Sequence, residues 1–488
     1  MKLHPSRVLS TTLALSLTAV LVVPAVADLA QKQLTADTGL DVYVDSEKLD
    51  PRDANGNAVD VLAVDGTTYL PVRALSDALG VDAAYQADDS GAYRINVDTL
   101  KKDGKAADYL KTYFGIDAFS GPVSDKAFNA ALVKIGGSEL EYGDPFTVGQ
   151  AVKASVSAAG LKELALTYSA EKANAAVAGC GKVQADFLPY VACALDSSLA
   201  SSTWDFSAAL DADTAAQLLM NAVDLSGQGR SYLGDVSDPD IGQKLRSAWA
   251  TFGNFNDDKL YQLGTDLVLQ GASTGYNVKY DGYNAKFLPG YTLTYGHSDI
   301  THAVQLVALL SSEGVNAKVA LEPKTSIYEY DVSWGDPAKL TMTPTYEVKA
   351  IDGGRYLCYA TEYDMKLEFD TVAEKNGFDA IVGQYAKKWD TNTDADGKPT
   401  TPLLSEAWWQ PLYYSTVPLE SDADGAYVSI KDNTIHNGPY TLHSFSTADG
   451  TAAIAKVAKE KAADLTVEPV DLYVNKAFHN YLTGADHQ

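Results

Sequence analysis

The chain has 488 residues, a formal net charge of −26 at pH 7 and a hydrophobic share of 46%. This ordinary hydrophobic share excludes a wholly disordered chain, and the length predicts two to four domains. The acidic balance argues against a nucleic-acid partner, because neutralising phosphates requires clustered Lys and Arg. With only 3 Cys and 7 His, a disulfide scaffold is excluded and a histidine-rich metal centre is disfavoured.

Residues 1–27 have the pattern of a secretory signal peptide. Two basic residues open the segment, an apolar stretch follows over 9–23, and 25–27 read Ala-Val-Ala, which is a cleavage site. The apolar stretch is shorter than the ~20 residues that a spanning helix needs, which favours cleavage over a retained anchor. We therefore expect a mature chain that begins at Asp28, has no integral membrane span, and is secreted or held at the cell surface.

The cysteines leave two alternatives open. Cys180 and Cys193 lie 13 residues apart and can close a disulfide in an oxidising compartment. The sparing use of cysteine favours two buried thiols instead. Cys358 lies in a strand-like run, where it is expected to be a small buried apolar residue.

Residues 28–105 are predicted to form a small α+β domain. Strand-like alternation recurs along this region, and Asp65-Gly66 is a hairpin turn between two of the runs. A short amphipathic helix is predicted over 72–79, and Gly80 is its stop.

One part of this region carries a family pattern. The run Asp-Gly-Thr-Thr-Tyr-Leu-Pro-Val-Arg-Ala-Leu at 65–75, followed by Ala-Leu-Gly at 78–80, closely resembles the copper amine oxidase N-terminal-like domain, or stalk domain. The resemblance covers residues 40–98 and implies an exported protein of a Gram-positive bacterium. It does not imply amine oxidation, because the chain has no Asn-Tyr-Asp or Asn-Tyr-Glu and no His-x-His. Arg73 in the pattern is interpreted as structural.

Residues 106–235 are predicted to be helical, with a weak internal repeat. Two blocks share one layout, in which a helix and a short polar connector are followed by an entry residue and an Ala-rich helix. The runs 146–155 and 210–223 contain the entry residue and the second helix of each block. The layout resembles S-layer homology modules, which hold proteins on wall polysaccharide. Where those modules have Thr-Arg, this chain has Thr-Val at 147–148 and Asp-Ala at 211–212. The resemblance therefore implies a helical fold more than glycan binding, and a plain helical linker is the alternative.

Residues 236–488 are predicted to form a larger α+β domain with an antiparallel sheet, because locally paired strands alternate with helices. The whole chain is thus predicted to be a multidomain α+β protein with a helical middle region. Helices are predicted over 241–252, 257–270, 300–312, 371–388 and 448–463. Strands are predicted over 315–321, 340–350, 356–360, 365–369, 426–430, 440–445 and 465–474.

The order of loop 282–299, helix 300–312, Gly314 and strand resembles the core of transglutaminase-like domains. In that family a Cys begins the helix, where the helix dipole favours the thiolate. The equivalent position here is near Asp299, without a thiol, and 325–363 contain no His. The resemblance therefore implies a degenerate enzyme, and no catalytic residue is assigned.

A residual catalytic interpretation uses Ser298 as a nucleophile and His297 or His302 as its base. The alternative is that Ser298 or Asp299 is the N-cap of the helix, a position that both residue types favour. Adjacent side chains rarely align for proton transfer, so the N-cap is the preferred interpretation.

An acidic segment resembles the first half of a calcium loop. Asp390, Asn392, Asp394 and Asp396 alternate before Gly397, as ligands do in such loops. The closing position is Leu403, where a bidentate Glu belongs. Calcium is the one cofactor that the sequence suggests, and a solvated acidic turn is the alternative.

Trp408 and Trp409 are followed closely by two tyrosines. Clustered aromatic rings can stack on sugars, but they are more often buried in a core.

Taken with the resemblances, these features predict an exported cell-envelope protein with a non-catalytic structural or binding role. A cell-wall polymer or another envelope protein is the expected partner. The alternatives are a wall-polymer hydrolase or transglutaminase- or peptidase-like enzyme, and a carbohydrate-binding protein.

Overall fold

A computed structural model describes residues 35–44, 47–52, 57–64, 67–72, 75, 82–87, 93–98, 105–138, 145–385, 412–419, 427–446 and 448–483. The chain divides into two compact units, Met1–Gly229 and Arg230–Gln488. Helices and an antiparallel sheet both occur among the described residues, so the predicted α+β class is confirmed at that level.

The first unit begins with three antiparallel pairs of short strands. The strands are β1 (Tyr43–Val44), β2 (Glu47–Lys48), β3 (Leu62–Val64), β4 (Thr67–Tyr69), β5 (Asp82–Ala87) and β6 (Tyr93–Asp98). They pair as β1 with β2, β3 with β4 and β5 with β6. Val72 and Leu75 are helical, in agreement with the predicted helix. Asp65, Gly66, Arg73 and Gly80 lie outside the described residues.

The rest of the first unit is helical, as predicted. Its helices are α1 (Lys105–Phe114), α2 (Asp125–Lys134), α3 (Val148–Ala158), α4 (Lys162–Ala165), α5 (Ala170–Ala176), α6 (Leu188–Asp196) and α7 (Ala212–Leu225). Cys193 is buried in α6, and Cys180, Cys193 and Cys358 are all present as thiols.

The two blocks of the weak repeat begin their helices in the same way. Thr147 caps α3 in a capping box with Gln150, and Asp211 caps α7 by accepting from the Thr214 N–H. Oxygen-bearing side chains at this position satisfy backbone donors that the first helical turn leaves without partners. The Leu210 N–H donates to the carbonyl of Phe146 at 2.9 Å, so the two helix starts lie side by side.

The second unit is built on an antiparallel barrel. Its strands are β7 (Gly234–Asp235), β8 (Gly275–Tyr280), β9 (Thr292–His297), β10 (Ala317–Glu329), β11 (Tyr346–Ile351), β12 (Arg355–Phe369), β13 (Tyr413–Ser415), β14 (Tyr427–Asn437), β15 (Tyr440–His443) and β16 (Thr466–Asn475). Eight of them pair in the ring β8-β10-β12-β9-β13-β16-β14-β15, and β15 closes the ring on β8. The strands β7 and β11 extend the sheet along β10 and β12.

Helices cover the outside of the barrel. They are α8 (Ile241–Trp249), α9 (Asp258–Leu269), α10 (Ile300–Ser312), α11 (Val372–Tyr385) and α12 (Ala448–Lys461). Leu293, Val319 and Met365 face outward and pack in one core with residues of α8, α10 and α11. A second core joins residues of α9 and α12 to the opposite strands. These cores follow the alternation of strand side chains between two faces.

The last helix, α13 (Lys476–Thr483), packs at one end of the barrel interior. Its Phe478 lies with Tyr414 and Leu472 in an apolar cluster. The lumen is therefore apolar where this cluster lies, and the remainder of its surface is available for polar groups.

Three predictions in this unit were wrong. The expected strands 356–360 and 365–369 form the single strand β12, because β10 pairs with it continuously. The expected strand 340–350 begins only at Tyr346. The expected loop 282–299 contains β9, whose small residues face the crowded lumen, where a Cβ on Gly296 would meet Lys324.

Candidate functional site

The sites predicted at the acidic segment and at the tryptophan pair fall outside the described residues. These residues are Asp390, Asn392, Asp394, Asp396, Trp408 and Trp409. The calcium and glycan-stacking hypotheses therefore stay predictions.

The start of α10 matches the N-cap interpretation. Asp299 Oδ1 accepts from the Thr301 N–H at 2.8 Å, which makes Asp299 the N-cap. His297 Nδ1 accepts from the Asp299 N–H at 2.9 Å, so His297 helps to fix the backbone that leads into α10. The rings of His297 and His302 lie 4.1 Å apart between centroids. Burial and then the nearby His302 lower the pKa of His297 to about 4.

The barrel interior holds a charged site that sequence analysis did not predict. Several of the residues that alternate with the outward-facing core residues on β10 and β12 carry charge, and they lie beside one another because the two strands are paired neighbours. Glu322, Asp364 and Glu368 are all buried. Burying a carboxylate is costly unless charges and hydrogen bonds compensate for it, so each of these groups needs a partner.

Asp364 is at the centre of this interior. Its Oδ1 accepts from Lys324 Nζ at 2.8 Å, and its Oδ2 accepts from Lys279 Nζ. Tyr414 donates its hydroxyl to the same carboxylate at 3.3 Å. Burial opposes ionisation of Asp364, but the charges of Lys279 and Lys324 outweigh it and lower the pKa of this carboxyl well below the usual range. Asp364 therefore stays ionised and links its own strand, β12, to β8, β10 and β13.

Two further carboxylates anchor the segment between β8 and β9. Glu322 accepts from the Ala285 N–H at 2.9 Å and from Lys366 Nζ at 3.0 Å. Glu368 accepts from the Leu288 N–H at 2.7 Å. Buried backbone donors require such acceptors, so these two contacts fix this segment against the barrel.

A fourth buried carboxylate, that of Asp432, contacts a histidine. Asp432 Oδ2 accepts from Nδ1 of His443 at 2.8 Å, and its Oδ1 accepts from the Ser444 N–H at 2.8 Å. A carboxylate oxygen accepts, so the Nδ1–H tautomer of His443 is the one that suits this contact. The Nε2 atom of His443 is then the ring atom left to meet a ligand as an acceptor.

Some of these groups, among them Glu322, Asp432 and His443, line a cavity of about 160 Å³. Polar and charged residues of its wall include Lys279, Asp281, Glu322, Lys366, Asp432 and His443. Tyr414, Val470 and Leu472 supply an apolar part of the wall. The cavity is smaller than pockets that take drug-sized ligands, so it is suited to a compact molecule.

An aromatic cluster borders the cavity at Tyr280. The ring of Tyr280 lies 5.3 Å from Tyr440 and 5.9 Å from Tyr283, between centroids. Phe255 packs against all three. Tyr283 is 46% exposed and Tyr280 is 36% exposed, so the cluster presents ring surface beside the cavity.

The charges of the barrel interior and its mouth do not balance. The cations are Arg230, Lys279, Lys324 and Lys366. The acids are Asp281, Glu322, Glu362, Asp364, Glu368 and Asp432. Among the residues that the structure describes, these four cations and six acids give a formal charge of −2, with histidine counted as neutral. An anion is therefore disfavoured in this lumen.

The sequence carries a signal for this site, but it is ambiguous. Residues 362–369 alternate strictly between charged and apolar types. The same alternation describes a strand with one face in water. Residues 318–324 carry charge at Lys318, Glu322 and Lys324 but have Ala at 320, so their alternation is incomplete. Only the pairing of β10 with β12 shows that the charged residues of both strands share one face.

Two absences are established for the described residues. Among them, no helix is long and apolar enough to cross a membrane. In the same residues no group of three or more His, Cys, Asp or Glu side chains is arranged to hold a metal ion.

Comparison of the chain with protein-family models, with curated proteins and with solved structures gave no match in any of the three.

Proposed function

We propose that the chain is an exported cell-envelope protein with a binding role, and that the barrel is its binding module. The observation that carries the proposal is the charged cavity beside a half-exposed aromatic cluster. A barrel with a purely structural role gains more from an apolar filling, because buried ion pairs are often less stabilising than packed hydrophobic residues. Ligand binding would explain why the barrel interior contains this many charged side chains.

We also propose a finer organisation: a stalk domain over 28–105, an S-layer-homology-like helical region over 106–235, and an α+β domain over 236–488. The motif at 65–75 supports the first, and the parallel helix starts at Thr147 and Asp211 support the second. Secretion is supported by the pattern of 1–27. A wall polymer or envelope protein is the partner that this organisation favours.

A fragment screen tests the binding role. Ligand-observed NMR would compare the mature chain with Val470→Phe, which adds a ring to the apolar wall of the cavity and removes no hydrogen bond. We expect a set of small polar fragments to bind the parent chain and not the filled variant. Near-ultraviolet circular dichroism would establish that the variant is folded. Equal binding to both proteins, or binding to neither, would contradict the role of the cavity.

A wall-polymer hydrolase is the second candidate, and the Asp432–His443 pair favours it. A carboxylate that holds an imidazole in one tautomer is a common way to orient a general base. The test is release of soluble fragments from purified cell wall by the mature chain. A hydrolase loses this release in His443→Gln, whereas a binding protein shows none in either form.

A further inference from the structure

We propose that the cavity binds a small aliphatic amine, with its ammonium group at Asp432 and its carbon chain on the apolar wall. This inference depends on the proposed binding role and names the chemical class of ligand. It follows from the balance of charge, from the supply of hydrogen-bond acceptors and from the shape of the cavity.

The charge of the cavity wall favours a cation. Asp281, Glu322 and Asp432 outnumber Lys279 and Lys366 among the charged residues of the wall. Both lysines are already held by carboxylates, Lys279 by Asp364 and Lys366 by Glu322. An anionic ligand would have to displace these pairs, whereas an ammonium group restores neutrality.

The acceptors also fit an ammonium group. Asp432 receives two hydrogen bonds from the protein, and a carboxylate has about four acceptor sites. Asp432 therefore has acceptor sites left for the N–H donors of a ligand in the cavity.

The apolar part of the cavity wall favours a ligand whose ammonium group is attached to a hydrocarbon chain. Tyr414, Val470 and Leu472 lie on the lumenal face of β13 and β16. A short hydrocarbon chain covers these side chains, and an ammonium is attracted to the face of an aromatic ring. Asp281 also lines the cavity, so a second ammonium on the same chain has an acid within the wall.

The experiment uses three probes that share a four-carbon chain. Isothermal titration of the mature chain in phosphate buffer, which carries no amine, would measure 1,4-diaminobutane, 1,4-butanediol and succinate. We expect the diamine to bind at least about tenfold more tightly than the diol, because charged hydrogen bonds to a buried carboxylate are the stronger class. Succinate should not bind.

Two variants and a control connect this preference to the lumen. Asp432→Asn and Asp281→Asn should each weaken diamine binding, the first by about tenfold or more. Asp471→Asn removes a carboxylate paired with Lys431 on an exposed part of the same sheet and should leave binding unchanged. Equal affinity for diamine and diol, preference for succinate, or a diamine affinity insensitive to both lumenal variants would overturn the inference. If polar fragments other than amines bind only the unfilled cavity, the binding role stands and the amine assignment fails.

Discussion

Lys324 donates a hydrogen bond from Nζ to Oδ1 of Asp364 at 2.8 Å, and both side chains are buried in the barrel interior. A buried ion pair stabilises the fold little more, and often less, than a hydrophobic pair of the same volume. Removing one partner, however, leaves a buried charge without compensation and destabilises the fold. A substitution that breaks a buried ion pair in the barrel interior should therefore lower the stability of the protein.

Asp364→Asn should lower the free energy of unfolding by about 3–5 kcal/mol, because Lys279 and Lys324 both lose their shared counter-charge. Urea denaturation of the mature chain would measure the loss. Asp471→Asn is the matched control, since its exposed pair with Lys431 contributes at most about 1 kcal/mol. Similar losses in the two variants would mean that Asp364 is compensated by water rather than by the lysines.

The His297–His302 pair should make the protein less stable in mild acid. The pKa of His297 is about 4 in the folded chain, against about 6.5 in an unfolded chain. Between these two pH values His297 is protonated in the unfolded chain but not in the folded chain. The free energy of unfolding therefore falls as the pH is lowered through this window. The loss attributable to His297 is at most about 3 kcal/mol.

The check is urea denaturation at pH 7 and pH 4.5 for the mature chain and for His297→Gln. The difference in stability between the two pH values should be clearly smaller in the variant. An unchanged difference would show that His297 titrates normally and that other groups cause the acid sensitivity.

Two glycines in the helices of the second unit should respond in opposite directions to alanine. A Cβ on Gly264 of α9 would overlap the ring of Tyr276, so Gly264→Ala should destabilise the protein by about 1–3 kcal/mol. A Cβ on Gly377 of α11 meets no heavy atom within 4 Å, so Gly377→Ala should stabilise it by about 0.5–1 kcal/mol. Thermal unfolding would measure the change in melting temperature of each variant. Changes of the same sign in both variants would contradict the packing of α9 on β8.

The predicted signal peptide has a direct test. N-terminal sequencing of protein recovered from the extracellular and wall fractions of a bacterial host should begin at Asp28. Recovery of cytosolic protein with Met1 intact would remove the basis for an envelope role.

Much of the helical structure could be predicted from the sequence, because caps and stops are local signals. The helix Ile300–Ser312 matches its predicted bounds, and Gly314, with a φ of +73°, ends it as expected. Strands were predicted less well. The polar residues between 360 and 365 suggested a break in β12, because inward-facing polar residues look the same as those of a turn.

The charged site could not be predicted for the same physical reason. Glu322 and Lys366 lie far apart in sequence, and their pairing depends on the register of β10 against β12. Asp432 and His443 are nearer neighbours, but nothing in the sequence distinguishes a lumenal pair from an exposed one. Closure of a ring of eight strands is a non-local property that alternation alone does not encode.

The most direct test of the binding account is a crystal structure of the mature chain grown with 1,4-diaminobutane. We predict density for the diamine inside the barrel, with an ammonium nitrogen about 3 Å from the carboxylate of Asp432 and the carbon chain against Tyr414 and Leu472. A lumen that contains only water at a diamine concentration that saturates the protein, or a diamine bound elsewhere on the chain, would contradict it.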